Sequence, residues 1–140
     1  MKRALKVLQS EVRPASSVQA GRAAREGPVL SKATGRAAER LGLTNAALAR
    51  IIGVSEPTVS RLRNGTFSLA RGTKPFELAQ LFVRLFRGLD ALTGGDDTAS
   101  RSWLAGENLA LEGRRPADLV QTIPGLMAVV SYVDARRARV

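Results

Sequence analysis

Residues 45–64 read Asn-Ala-Ala-Leu-Ala-Arg-Ile-Ile-Gly-Val-Ser-Glu-Pro-Thr-Val-Ser-Arg-Leu-Arg-Asn. Asn45 is placed to cap a helix over Ala46–Ile52. Gly53 ends that helix where a tight turn needs positive φ. Ser55 caps a second helix over Glu56–Arg63, and Pro57 sits in its first turn, where a missing N–H costs nothing. Ala49 is small where two helices must cross closely. Val54, Val59 and Leu62, spaced by five and three, turn inward and pin the second helix to the first. Facing outward are Ser55, Glu56, Thr58, Ser60 and Arg61. These are short hydrogen-bonding groups and one guanidinium, a set that suits base edges and phosphates. The pattern is that of a helix-turn-helix. The competing reading is a helical hairpin in a protein that binds no nucleic acid; the polar outward face and the positive charge around it weigh against that.

Flanking cations extend the argument. Arg63 closes the second helix, and Arg71 and Lys74 follow it. Each can neutralise a phosphate or lie in solvent. Glu56 opposes phosphate, but it can accept from a cytosine amine or serve the helix N-terminus. Net charge is +10, and it is unevenly spread. Residues 1–40 hold nine Lys/Arg against three Glu, residues 41–90 seven against three, and residues 91–140 six against six. A nucleic-acid partner needs a positive field where the first two thirds of the chain carry it.

Outward from the motif, the chain reads as all-α. Of its 140 residues 44% are hydrophobic and only 4% aromatic, so Leu, Val, Ile and Ala must supply the core. Met1–Val29 mixes Ser, Ala, Gly, Pro and basic residues, and SSVQAGRAAREGP reads as linker. Residues 1–30 are therefore expected to form a basic, partly flexible N-terminal segment. A helix begins at Ser31, with Ala37, Ala38 and Leu41 on one face, and Gly42 ends it. Thr73-Lys74-Pro75 opens a longer helix whose Leu78, Leu81, Phe82, Leu85, Phe86, Leu89 and Leu92 recur at steps of three and four. That stripe packs on its neighbours or forms a dimer seam. Thr93–Asp97 reads as a break, which divides residues 31–92 from 93–140. Beyond it three helices are expected, over Ala99–Leu111, Pro116–Val120 and Pro124–Ala138.

The composition also excludes chemistry. With no cysteine there are no disulfides and no thiolate nucleophile. With no histidine there is no Ser-His dyad and no imidazole metal ligand. Neither catalytic residues, a metal site nor a cofactor is implied. A hydrolase or nuclease reading lacks a paired-carboxylate motif, and Asp96-Asp97 in a Gly-rich break suits a helix cap. No apolar stretch approaches the ~20 residues of a membrane helix. Lys2, Arg3 and Lys6 precede no long apolar run, which argues for a cytoplasmic protein rather than a secreted one.

Residues 91–140 have no charge excess, so DNA binding does not explain them. On an amphipathic helix Trp103 suits the core, Asn108 a local hydrogen bond, Pro116 a helix start and Gly125 close packing. The run Trp103-Leu104…Asn108…Leu111…Gly113…Pro116…Leu119…Gly125…Val129…Tyr132 resembles the toxin-binding domain of Xre-type antitoxins, bacterial proteins encoded beside RES-domain toxins. Some relatives are called ParS. The block Ala49…Gly53-Val54…Val59…Leu62 is similar to their Cro/Xre-like helix-turn-helix domain, so the resemblance spans about residues 31–140. It implies a small helical toxin-binding domain behind the DNA-binding one. The implied partners are a RES-domain toxin and operator DNA, with a homodimer inside a larger toxin–antitoxin complex.

The tail ends in Asp134-Ala-Arg-Arg-Ala-Arg-Val140. By itself it reads as a solvated basic end or a further phosphate contact. In such antitoxins the C-terminal end reaches into the toxin's active-site cleft, and RES toxins, which resemble ADP-ribosyltransferases, destroy NAD. The resemblance therefore implies toxin contacts from Arg136, Arg137 and Arg139, whose guanidinium groups suit carboxylates lining such a cleft. The Val140 carboxylate could occupy an anion position instead. The competing reading is a stand-alone helix-turn-helix regulator whose C-terminal domain dimerises or binds a small ligand.

Overall fold

The computed structural model describes the backbone of residues 2–139 and the side chains of residues 17–22 and 24–139. Its elements are α1 (Lys2–Arg40), α2 (Asn45–Ile52), α3 (Glu56–Asn64), α4 (Lys74–Thr93) and α5 (Asp97–Ala105). A single 3-10 turn (Leu109–Leu111), α6 (Pro116–Leu119) and α7 (Ile123–Ala138) follow. Among the described residues there is no strand, only an isolated bridge between Asn108 and Arg114. The all-α expectation holds.

α4 is the spine. It packs most extensively on α7, and also on α1, α2 and α5. Its stripe of threes and fours is used on more than one side: Phe82 and Leu85 are each 1% exposed. Burying a side chain of that size stabilises by about 1.5–3 kcal/mol. Gly88 lets α7 come close, because a Cβ there would collide with the Val133 side chain. A glycine inside a helix costs about 0.5–1 kcal/mol in backbone entropy relative to alanine, so the close crossing is what it serves. Gly125 acts likewise at the start of α7, where a Cβ would strike the Leu119 carbonyl.

Three sequence expectations are corrected. The stretch read as linker is helical, since α1 runs from Lys2 and includes Pro28. Gly27 makes this possible in two ways. Without a Cβ it relieves the crowding that a residue before proline meets in a helix, and it lets the Leu69 carbonyl approach. Ser31 then fastens the α3–α4 loop to α1: its buried hydroxyl donates to Gly27 O (2.7 Å) and accepts from Leu69 N (2.8 Å). Second, Thr44 rather than Asn45 caps α2. It is the residue with extended dihedrals, and its hydroxyl accepts from Ala47 N. Third, the helix expected over Ala99–Leu111 stops at Ala105. Gly106 takes an extended conformation there, and Asn108 caps the separate 3-10 turn.

The ends of α1, α4 and α5 are tied together by Arg40. Its Nη2 lies 2.8 Å from Asp90 Oδ1 and 2.9 Å from Asp97 Oδ1. The guanidinium also sits 4.8 Å above the Phe86 ring, a cation–π contact. Hydrogen bonding to Asp97 raises the Arg40 pKa above its ordinary value, against partial desolvation. Arg101 completes it by donating to the carbonyls of Arg40 (2.8 Å) and Glu39 (3.1 Å) at the end of α1. Of the acidic pair Asp96-Asp97, Asp96 therefore caps α5 and Asp97 holds Arg40. None of the helices with described residues is long and apolar enough to cross a membrane.

Candidate functional site

The second helix of the motif, α3, is set by its own ends. Gly53 takes φ 73° and returns its N–H to Ala49 O, closing α2. Ser55 is extended and accepts from Thr58 N (3.2 Å), opening α3. Gly65, at φ 83°, closes it. Val59 and Leu62 are buried against the body, as the inward spacing required. Glu56, Ser60 and Asn64, four residues apart, are exposed along one side of α3 with Pro57 and Arg61 beside them.

The candidate DNA-binding residues thus divide by role. Glu56, Ser60 and Arg61 are exposed on the outer side. Ser55 is exposed too, but its hydroxyl is engaged as the cap. Thr58 is half-buried. Its hydroxyl meets Ser55 Oγ at 2.8 Å and accepts from Arg61 Nη2 at 3.3 Å, so it steadies the arginine. Arg63 lies on the flank facing α1, where Nη2 donates to Leu43 O at 2.8 Å. Of the flanking cations, Arg71 lies 3.5 Å from Glu26 and Lys74 3.1 Å from Glu77.

In the C-terminal third, α7 buries Leu126, Val129, Val130 and Val133. Its outer side is also apolar. Ile123 is 47% and Met127 54% exposed, and Pro124, Ala128, Ser131, Ala135 and Ala138 are exposed with them. The 3-10 turn presents Leu109, which is 94% exposed. That turn is held by backbone bonds from Asn108 N to Arg114 O and from Gly113 N to Asn108 O, with Glu112 at φ 60°. Trp103 is half-buried and stacks on Tyr132 at a centroid distance of 6.1 Å.

The tail arginines do not act as one group. Arg136 donates to the Tyr132 hydroxyl at 3.2 Å and lies over its ring. Arg137 is on the opposite flank, beside Gly88 and the groove shared by α1, α4 and α7. Arg139 caps the end of α7 and is exposed. Val140 lies outside the described residues. Sequence reasoning missed the apolar outer side of α7 and the exposed Leu109. It also passed over Gly88, whose signal was a glycine inside an otherwise continuous helical stripe.

These features define a class: a helix-turn-helix module joined through a shared long helix to a small helical C-terminal domain. Residues 20–84 match the family model of the antitoxin Xre-like helix-turn-helix domain. Residues 88–139 match that of the antitoxin Xre/MbcA/ParS C-terminal toxin-binding domain. A chain of the M. tuberculosis MbcT–MbcA toxin–antitoxin complex superposes with a TM-score of 0.53 at 30% identity, covering 76% of this chain and 92% of that one. No sequence among proteins of curated function matches. The chain belongs to the Xre/MbcA/ParS antitoxin family, as the sequence resemblance implied.

Proposed function

We propose that this antitoxin neutralises a RES-type, NAD-degrading toxin by docking its C-terminal domain on the toxin and closing the active site with its last residues. It also represses its own operon by placing α3 in the major groove of operator DNA. It acts in the cytoplasm by binding rather than catalysis, as a homodimer within a larger toxin–antitoxin complex.

The observation that carries the reading is the outer side of α7, an apolar face on a helix that ends in Arg136, Arg137 and Arg139. Apolar surface left in water is favourably covered, at about 25 cal/mol per Å². A face along a helix of 16 residues supplies such area, and Leu109 offers an isolated anchor at a rigid turn. The arginines that follow suit the carboxylates of a cleft that binds a dinucleotide. Arg136 and Arg137 already lie on α7, and a few side chains at the end of a helix add little affinity beside an apolar face while their effect on substrate access is large. At the DNA end, the exposed Glu56, Ser60 and Arg61 on α3 support operator reading.

The test uses the toxin encoded beside this gene. Its NAD hydrolysis is measured with saturating full-length antitoxin and with a chain lacking Arg136–Val140, and binding is measured by calorimetry. The expected result is retained binding with lost inhibition. Full inhibition by the shortened chain would overturn cleft closure, and a partner without NADase activity would overturn the toxin class.

A further inference from the structure

We infer that the groove between α1 and the C-terminal end of α3 is a phosphate track, in which Lys32, Arg36 and Arg63 hold the backbone of one DNA strand while the outer side of α3 reads bases. The inference rests on the proposed DNA-reading role of α3.

The groove has a volume of about 630 Å³. Gly35 lies on its floor: a Cβ there would stand 3.5 Å from Leu62 Cδ2 and 3.9 Å from Arg63 Cγ, ordinary contact distances, so α1 and α3 touch there. Lys32 and Arg36, one turn apart on α1, rise on one side, and Arg63 rises on the other. All three are exposed. Glu39 is the one acid among the lining residues. Among the described residues neither Lys32 nor Arg36 makes an ion pair. Arg63 is held by a neutral carbonyl, Leu43 O, which orients the guanidinium and leaves its charge uncompensated. Arg71, Lys74, Arg84 and Arg115, by contrast, each lie within ion-pair distance of a carboxylate. Arg22, Arg25, Arg50, Arg61 and Arg87 are also exposed and, among the described residues, outside ion-pair distance of a carboxylate, but only this groove gathers three such cations from two helices.

Its position gives it a ligand. A helix with its side chains is about 10–12 Å wide and the major groove about 12 Å. A recognition helix therefore fills the groove, and whatever stands on its flank meets a phosphate strand. Arg63 is on that flank, seven residues after Glu56 and so on the same edge of α3, about 100° around the helix from Asn64. Lys32 and Arg36 continue the line, with Cβ atoms about 5–6 Å apart as for any residues one turn apart. Phosphate contacts of this kind fix register and carry no sequence information.

The test is a salt titration of DNA binding by the full-length chain. Fluorescence anisotropy is read on a duplex from upstream of its own gene and on an unrelated duplex of equal length. Each phosphate contact contributes about 0.9 to the slope of log affinity against log salt. The double variant Lys32→Ala/Arg36→Ala should lower that slope by about two. It should weaken both duplexes by the same factor and leave the specificity ratio intact. Arg36→Lys should keep the slope. Arg61→Ala, the control, should reduce the ratio. Thermal melts confirm folding of each variant. An unchanged slope in the double variant, with wild type binding normally, overturns the track alone, as does a loss of toxin binding with DNA binding intact. A fall in specificity ratio would mean that these residues read bases, and would also overturn it. If wild type binds neither duplex, the DNA-reading role of α3 falls and the track falls with it.

Discussion

On α3 the exposed residues are Glu56, Pro57, Ser60, Arg61, Arg63 and Asn64; on α7 they are Ile123, Pro124, Met127, Ala128, Ser131 and Ala135 before the first exposed charge at Arg136. Both helices bury one side in the same protein and turn the other to solvent. The α3 side is comfortable in water and keeps its hydrogen-bonding groups available for a polar partner. The α7 side orders water until something covers it. Exposure alone therefore does not distinguish two binding surfaces, but the chemistry of what is exposed does.

The harshest way to break this contrast is to make α7 resemble α3. Ile123→Asp combined with Met127→Asp should weaken the toxin complex at least about 100-fold, as removal of central apolar anchors does. Operator binding should be unchanged. Normal complex formation by calorimetry would mean that the apolar side is not the docking surface. The reverse change, Arg61→Ala with Ser60→Ala, should cost operator affinity about 1–3 kcal/mol per lost base contact. Toxin binding should stay as it was. A wild-type gel shift by this variant would remove α3 from the reading of DNA.

Two smaller changes probe what the surfaces share. Gly88→Ala puts a methyl group against Val133 at the α4–α7 crossing. Overpacking of this kind costs about 1–3 kcal/mol. It should lower the melting temperature and bring both activities down together on heating, because α4 supports both halves. Separate melting of the two activities would show that the halves unfold independently. Arg40→Ala should have the smallest effect, since the clasp is half-exposed. Its loss in melting temperature should shrink as salt rises. A loss insensitive to salt would assign the clasp to stacking on Phe86.

Much of this fold was legible because its signals are local. Gly53, Ser55 and Gly65 each terminate a helix through their own dihedrals and side chains, so neighbouring sequence suffices to place α2 and α3. The cap of α2 slipped by one residue because Thr44 and Asn45 can both cap, and only the backbone angle decides. The first part of α1 was not legible for the opposite reason. Gly27-Pro28 is a breaker by local rules, and what holds it in a helix is the Ser31–Leu69 bond across 38 residues. The same holds for the sites. Ser60 and Arg61 could be chosen from the motif. That Lys32 and Arg36 share a groove with Arg63 depends on helix packing. Which side of the apolar α7 stays uncovered depends on α4, and no pattern within α7 reveals it.

The two family models part between residues 84 and 88, inside α4 rather than in a loop. A continuous helix turns about 100° and advances about 1.5 Å per residue. One residue inserted at that seam would swing the apolar face of α7 by about 100° around the axis relative to α3. Exchange of C-terminal domains between relatives is therefore phase-locked. A swap must preserve the residue count through the seam, and a length change is tolerated best near whole helical turns, at three or four residues or at seven.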